Sequence, residues 1–264
     1  MRRGYLFWGF LFILLAALFV LKAVNILDYG DIWNYFWSLA LIIGGAWLII
    51  EALIPRSGEG ENESMKIDLQ GAKKARVKFS TGMGRMMISS GAPAGQILTG
   101  TKAVGMSVST KLIGDQLEIE VGAGPSIMPF IGPSSGVWRF HLNGDIPINL
   151  EVGSGASELD IDLSDLQVSY GKLEMGASSV NLTTPKHAGN TSLAIEAGAA
   201  KVDIHIPAEV EGRIRIKEGV SALAIDEKRF PRQESGSYQS INFDKAKNRV
   251  EMDIEAGVGK ITIN

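Results

Sequence analysis

The stretch IEAGAAKVDIHI, residues 195–206, alternates apolar and polar side chains on each side of one glycine. Side chains of an extended chain point alternately to its two faces, so alternation of this kind predicts half-buried strands. Gly198 supplies a backbone conformation or a close approach that a Cβ atom would obstruct. The stretch therefore predicts a strand, a glycine corner and a second strand, with Ile195, Val202 and Ile204 pointing inward.

The same pattern, which is apolar, two residues, Gly, three residues, apolar, one residue, apolar, occurs seven times between residues 79 and 263. Its central glycines are Gly82, Gly124, Gly155, Gly176, Gly198, Gly219 and Gly257. A weaker eighth copy comprises Ile97, Gly100, Val104 and Met106. From Gly155 to Gly219 the glycines are 21, 22 and 21 residues apart, a period typical of stacked repeats. No unit could bury its apolar row alone, so we expect an all-β domain of the β-solenoid or stacked-sheet type.

Two apolar blocks, residues 5–27 and 32–54, precede the repeats. At about 1.5 Å per residue, each block is long enough to span, or nearly span, a hydrocarbon core. The polar turn at residues 28–31 is too short for anything but an antiparallel pair of helices. The sequence therefore predicts three parts, which are a two-helix transmembrane hairpin over 1–54, a linker over 55–65 and a repetitive β-domain over 66–264.

A cleaved signal peptide is the main alternative to the first span, because Arg2 and Arg3 precede an apolar run. The run is longer than a usual signal, no small-residue cleavage site follows it, and a second span comes directly afterwards. Buried helices of a soluble core are a second alternative, but neither block has a polar face. Arg2, Arg3 and Arg56 lie on one side of the hairpin and Lys22 on the other, which favours a plasma-membrane protein with its β-domain in the cytoplasm.

The composition excludes several classes of chemistry. The chain has no cysteine, which rules out disulfides, thiolate metal sites and cysteine nucleophiles. The net charge of -3 and the lack of a basic run argue against nucleic acid as a partner. The glycine-rich strings at residues 80–84 and 121–125 lack the Lys and Ser or Thr of a phosphate-binding loop, so we interpret them as repeat corners.

Candidate catalytic and metal-binding residues are few. His141, His187 and His205 lie far apart, and only His205 has a carboxylate, Asp203, on the same predicted face, which is half of a metal site. Glu158, Asp160 and Asp162 alternate as a carboxylate row for glycoside cleavage would, but any solvated sheet face carries such a row. We therefore expect no catalytic, cofactor-binding or metal-binding residue and no enzyme activity.

Two features of the C-terminal region suggest partners. Residues 226–248 form the widest insertion, which is either a solvated excursion or a partner-binding loop, and residues 243–248 could form one helical turn. The chain ends at Asn264, directly after the strand that carries Ile261 and Ile263. Unless the insertion covers it, this strand would present an open edge, through which the chain could form a homo-oligomer.

The final stretch, residues 237–264, carries a resemblance to a known family. Its tyrosine, the run Ala246–Arg249 and the closing GVGKITI resemble the C-terminus of LiaF-like membrane proteins, the family associated with responses to cell-wall-active antibiotics. The resemblance implies a prokaryotic membrane protein with a toast-rack, or adhesin-like, β-domain and a regulatory role in envelope stress through contacts with a membrane or signalling protein such as a sensor kinase. A structural scaffold or adhesin is the alternative function, and a glycan-active β-helix enzyme is a third.

Overall fold

A computed structural model of the protein describes residues 36–39, 41, 63–102, 106–123, 137–217 and 220–264. The chain divides into two compact units, Met1–Gly60 and Glu61–Asn264. In the first unit, residues 36–39 are helical. The rest of the two predicted spans, together with the orientation residues Arg2, Arg3, Lys22 and Arg56, lies outside the described residues. Among the residues that are described, no helix has the length and apolar character needed to cross a membrane.

The second unit is built almost wholly of strands. Its strands are β1 (Glu63–Asp68), β2 (Lys74–Ser90), β3 (Gln96–Lys102), β4 (Met106–Ile113), β5 (Gln116–Ala123), β6 (Val137–Leu142), β7 (Pro147–Asp162), β8 (Gln167–Thr183), β9 (Asn190–His205), β10 (Glu211–Lys217), β11 (Val220–Ile225), β12 (Tyr238–Gln239) and β13 (Arg249–Ile263). One 3-10 turn, Phe243–Lys245, lies where the sequence predicted a single helical turn. The first strand begins at Glu63, inside the predicted linker.

Five long strands, β2, β7, β8, β9 and β13, carry the glycine corners. In β8, Leu173 and Met175 are buried before the corner, whereas Val180 and Leu182 are buried after it. The alternation changes phase at Gly176 and Ala177, two consecutive exposed positions. A strand that kept its phase would turn one half of its apolar row toward solvent, so the corner lets both halves face one core.

The corners fold the strands into two layers. The first layer holds the halves before the glycines, and β5 and β10 pair with its outermost halves, on β2 and β13. The second layer holds the halves after the glycines, with β6 on β2 and β11 on β13. Phe79 of the first layer meets Phe140 of the second, with ring centroids 4.7 Å apart. Connections as short as residues 163–166, between β7 and β8, close each turn of the chain into a coil.

The core is a stack of aligned rows that runs across the parallel strands. One row of the first layer consists of Phe79, Val152, Leu173, Ile195 and Ile254, and every member is 3% exposed or less. The matching row of the second layer consists of Met86, Leu159, Val180, Val202 and Ile261. The all-β, stacked fold class predicted from the repeats is confirmed.

The stacking order differs from chain order at the C-terminal end. β13 lies between β9 and the pair β10 and β11, with parallel pairing on both sides. The prediction that the last strand presents an open edge is therefore wrong, because Ile261 and Ile263 have strand neighbours on each side. β11 occupies the outermost position of the second layer instead.

One predicted repeat unit is not a coil of the stack, and a second lies partly outside the described residues. The weak eighth unit around Gly100 belongs to β3, which pairs antiparallel with β1 and β6. For the unit around Gly124, Val121 lies in β5, but residues 124–136, which include Met128 and Phe130, lie outside the described residues; the strand that pairs with Met86 and Ile88 on one side is β6. With antiparallel β4 on β5, these strands cover the N-terminal end of the stack.

The insertion at residues 226–248 packs onto the domain. Phe230, Tyr238 and Phe243 are buried, and β12 adds two residues to the outer edge of β10. Arg229 donates hydrogen bonds to the backbone carbonyls of Ile206, Pro207 and Val210, at 2.5, 2.5 and 2.9 Å. Much of this segment therefore covers the end of the first layer. Neither the solvated excursion nor the partner-binding loop considered from the sequence included this packing.

Candidate interaction surface

The predicted repeat glycines form one ladder across the stack. The strand register aligns Gly82, Gly155, Gly176, Gly198 and Gly257 on neighbouring strands. A Cβ atom at Gly155 would lie 2.6 Å from the carbonyl oxygen of Gly82, and one at Gly176 would lie 2.6 Å from that of Gly155. The same distance is 3.0 Å at Gly198 and 2.8 Å at Gly257, while Gly82, at the start of the ladder, has nothing within 4 Å. Close backbone approach therefore explains the four ladder glycines after Gly82 but not Gly82 itself. Gly124 and Gly219 lie outside the described residues.

A shallow groove of about 580 Å³ runs along this ladder. The groove is lined by Glu174, Glu196 and Glu255, which occupy one outward row on β8, β9 and β13. On the other side of the glycines lies an exposed ridge of small and apolar residues, made of Met83, Ala156, Ala177, Ala199 and Val258. Met83 is 51% exposed and Val258 is 63% exposed, so both ends of the ridge reach solvent.

Two lysine side chains form ion pairs with the three glutamates. Lys172 Nζ lies 2.5 Å from Glu174 Oε1 and 3.3 Å from Glu196 Oε1, and Lys217 lies 3.5 Å from Glu255. The hydrogen bonds to Glu174 and Glu196 raise the pKa of Lys172 to about 12. The glutamate row thus forms ion pairs on a solvated face, one within β8 and two between neighbouring strands.

The same kind of pairing holds neighbouring strands on both outer faces. Arg76 Nε donates to Glu151 at 2.9 Å on the first layer, and Arg85 Nε donates to Glu158 at 2.9 Å on the second. At the C-terminal end, Arg215 contacts Asp253 and Glu251, each at 2.7 Å. The hydrogen bond from Arg215 holds the pKa of Asp253 below its ordinary value. Because these pairs are partly exposed, each contributes little alone, and together they tie strands side by side.

The carboxylate row considered for catalysis is placed on the outer face of the second layer. Glu158 is paired with Arg85, and Asp162 Oδ1 accepts the backbone N–H of Ser164 at 3.0 Å. Asp160 lies between them on the same exposed face of β7. The structure therefore brings the three residues onto one row, where two of them have structural partners.

The histidines are placed on different parts of the molecule. His205 Nδ1 lies 3.2 Å from Asn264 Oδ1, and Asp203 is bound by Lys201 at 2.7 Å. His141 Nδ1 lies 3.0 Å from Ser89 Oγ, an exposed contact between β6 and β2 that the sequence could not predict because the two residues are 52 positions apart. Within the described part of the chain, no three potential metal ligands come together.

Comparisons with known proteins find a family that matches the sequence and a solved structure with a similar fold. The family model for the N-terminal domain of toast_rack, DUF2154, matches residues 56–205. A "putative cell adhesion protein" from Clostridium sporogenes ATCC 15579 has a similar structure, with a TM-score of 0.66 and 23% identity over 76% of this chain and 97% of that one. A "putative adhesin" from Bacteroides fragilis NCTC 9343 matches at a TM-score of 0.24 and 11% identity, over 76% and 96% of the two chains. No curated protein matches the chain.

Proposed function

Because this chain belongs to the toast-rack family, we propose that its β-domain is a non-enzymatic, adhesin-like scaffold displayed at a membrane surface. The observation that carries the proposal is the pairing of charged residues across strands on both outer faces. Such pairs tie neighbouring strands side by side and leave broad, solvated faces for contact with other macromolecules. The "putative cell adhesion protein" from Clostridium sporogenes adds support by analogy, since the two chains share a fold.

The predicted hairpin gives this scaffold its anchor. We propose that the apolar blocks at 5–27 and 32–54 hold the chain in the bilayer, so that the β-domain stays at one membrane surface. Full-length protein should then remain in the membrane pellet after an alkaline carbonate wash and dissolve only in detergent. Release by carbonate alone would contradict the anchor while leaving the contact role open.

The side of the membrane can be measured directly because the natural chain has no cysteine. Asn181 is exposed on the outer face of the second layer, so Asn181→Cys offers one reactive thiol. For a displayed scaffold, a membrane-impermeant maleimide should label this variant in intact cells as strongly as in permeabilised cells. Labelling only after permeabilisation would contradict surface display. The natural chain is the matched control, since it has no thiol to label.

A cytoplasmic regulator of the envelope-stress response is the second candidate. It is favoured by the arginine bias, with Arg2, Arg3 and Arg56 opposite Lys22, and by the resemblance of residues 237–264 to LiaF-like proteins. In this function the hairpin contacts a membrane or signalling protein such as a sensor kinase. Protection of Asn181→Cys in intact cells, together with co-purification of such a kinase in mild detergent, would favour it over the scaffold.

A glycan-active enzyme is the function that the scaffold proposal excludes. Its best candidate residues are Asp160 and Asp162, on the outer face of β7. The variant Asp160→Asn/Asp162→Asn should leave glycan turnover of the cells unchanged, because the proposal gives these residues no chemical step. A clear loss of turnover at unchanged protein level would contradict the proposal.

A further inference from the structure

The two layers end differently at the C-terminal side of the stack. In the first layer, β12 pairs with the outer edge of β10, and the buried ring of Phe230 covers the core there. In the second layer, β11 pairs with β13, and within the described residues nothing pairs with its other edge. The second layer therefore presents a row of backbone groups that another strand could bond.

The core row that reaches β11 is left uncovered. Leu223 continues the row that passes through Val180, Val202 and Ile261. Those three members are 1% exposed or less, but Leu223 is 40% exposed. Burying the rest of its apolar surface would be favourable, at roughly 25 cal/mol per Å². The edge thus offers both unpaired backbone and apolar surface.

The sequence of β11 lacks the protection that other edges carry. Its six residues, VSALAI, include no charge and no proline. By contrast, the outermost strand β1 contains Glu63, Lys66 and Asp68, and β4 contains Lys111. Charged residues on an edge discourage pairing with a further strand, so β11 is the outermost strand best suited to accept one.

We propose that β11 pairs antiparallel with β11 of a second copy of this chain, about a two-fold axis at Leu223. In this register Leu223 faces Leu223, and Ala222 faces Ala224 of the second copy. Inward residues meet inward residues, so the second layer continues from one copy into the next. A two-fold interface sets each residue near its own copy, which is costly for a charged strand and not for this neutral one.

The inference rests on the contact role proposed above and names one partner for it. The chain has no cysteine, so Leu223→Cys would carry the only thiol. Directly opposed residues of an antiparallel pair have Cα atoms about 4.5–5.5 Å apart, within the span of a disulfide. Mild oxidation of the full chain in detergent should therefore yield a covalent dimer. Leu112→Cys is the control, because Leu112 of β4 is 44% exposed on a different edge.

A charge substitution supplies a second readout. Ala222 is exposed on β11, so Ala222→Lys should leave the fold intact and raise the dissociation constant of the dimer at least about tenfold, measured by sedimentation of the full chain. Ala177→Lys, which adds the same charge to an exposed residue of the interior strand β8, should leave it unchanged.

Two outcomes would overturn the inference. One is that Leu223→Cys forms no more covalent dimer than Leu112→Cys. The other is that Ala222→Lys and Ala177→Lys associate equally well. If either occurs while cross-linkers attached to the outer faces, at Tyr170→Cys or Asn181→Cys, join the chain to other macromolecules in cells, this inference fails and the scaffold function stands. Loss of the outer-face cross-links, with the dimer intact, would contradict the scaffold function and leave the β11 dimer standing.

Discussion

At the scale of single residues, the ladder glycines depend on the distance between neighbouring backbones. Gly176 is tightly enclosed, because a Cβ atom there would lie 2.6 Å from the carbonyl oxygen of Gly155. Gly176→Ala must therefore shift one strand, and we expect a loss of about 1–3 kcal/mol in the free energy of unfolding. Urea denaturation followed by circular dichroism would measure it.

Gly82 provides the matched control for that substitution. A Cβ atom there would meet nothing within 4 Å, and its φ is not positive. Gly82→Ala should change the free energy of unfolding by less than about 0.5 kcal/mol. Equal losses at Gly82 and Gly176 would show that the ladder does not act through close approach.

The pair Arg215–Asp253 makes stability depend on pH. Arg215 holds the folded-state pKa of Asp253 below its ordinary value, so the pair stabilises the fold above about pH 4 and loses this effect as the pH falls through the lowered pKa. Because both side chains are about half exposed, we expect Arg215→Met to cost less than about 1 kcal/mol at neutral pH. The cost should vanish in acid.

NMR titration of the Asp253 carboxyl measures this effect directly. In Arg215→Met, the pKa of Asp253 should rise toward its ordinary value. The double variant Arg215→Met/Asp253→Asn should be no less stable in acid than the single variant. An unchanged pKa of Asp253 would contradict the role given to Arg215.

At the scale of elements, the insertion at residues 226–248 acts as a cover for the first layer. Phe230 is fully buried within it, so Phe230→Ala should cost about 3–5 kcal/mol in the free energy of unfolding, through lost burial and a remaining cavity. Ile241 lies in the same insertion but is 85% exposed, and Ile241→Ala should be nearly neutral. Equal losses of thermal stability in Phe230→Ala and Ile241→Ala would mean that the insertion does not cover the core.

The sequence predicts the long strands but not the packing of the insertion. Alternation around Gly176 and Gly198 predicts the long strands and their inward residues, because period-two patterning is a local signal. The burial of Phe230 and Tyr238 has no such signal, since the insertion is rich in charge and lacks a regular period. The position of the insertion depends on contacts with β10, a strand that lies earlier in the chain and outside the insertion.

At the scale of the whole molecule, the stacking order is what the sequence could not give. Repeat spacing predicts that units stack, but no local feature states that β13 enters between β9 and β10. For this reason the sequence predicts an open edge at the strand of Ile261 and Ile263, whereas the structure places β11 at the edge of the second layer. The sequence does not predict the contact Ser89–His141 either, because the contact joins strands that become neighbours only in the folded stack.

The central claim is that the β-domain works by contact through its outer faces. Tyr170 is 38% exposed on the first layer and Asn181 is exposed on the second, so Tyr170→Cys and Asn181→Cys place one thiol on each face. A thiol-anchored photo-cross-linker should join at least one of these variants to another macromolecule in intact cells or, for a cytoplasmic domain, in permeabilised cells. The cysteine-free natural chain should give no adduct. Absence of any adduct from both faces, with and without envelope stress, would contradict the claim.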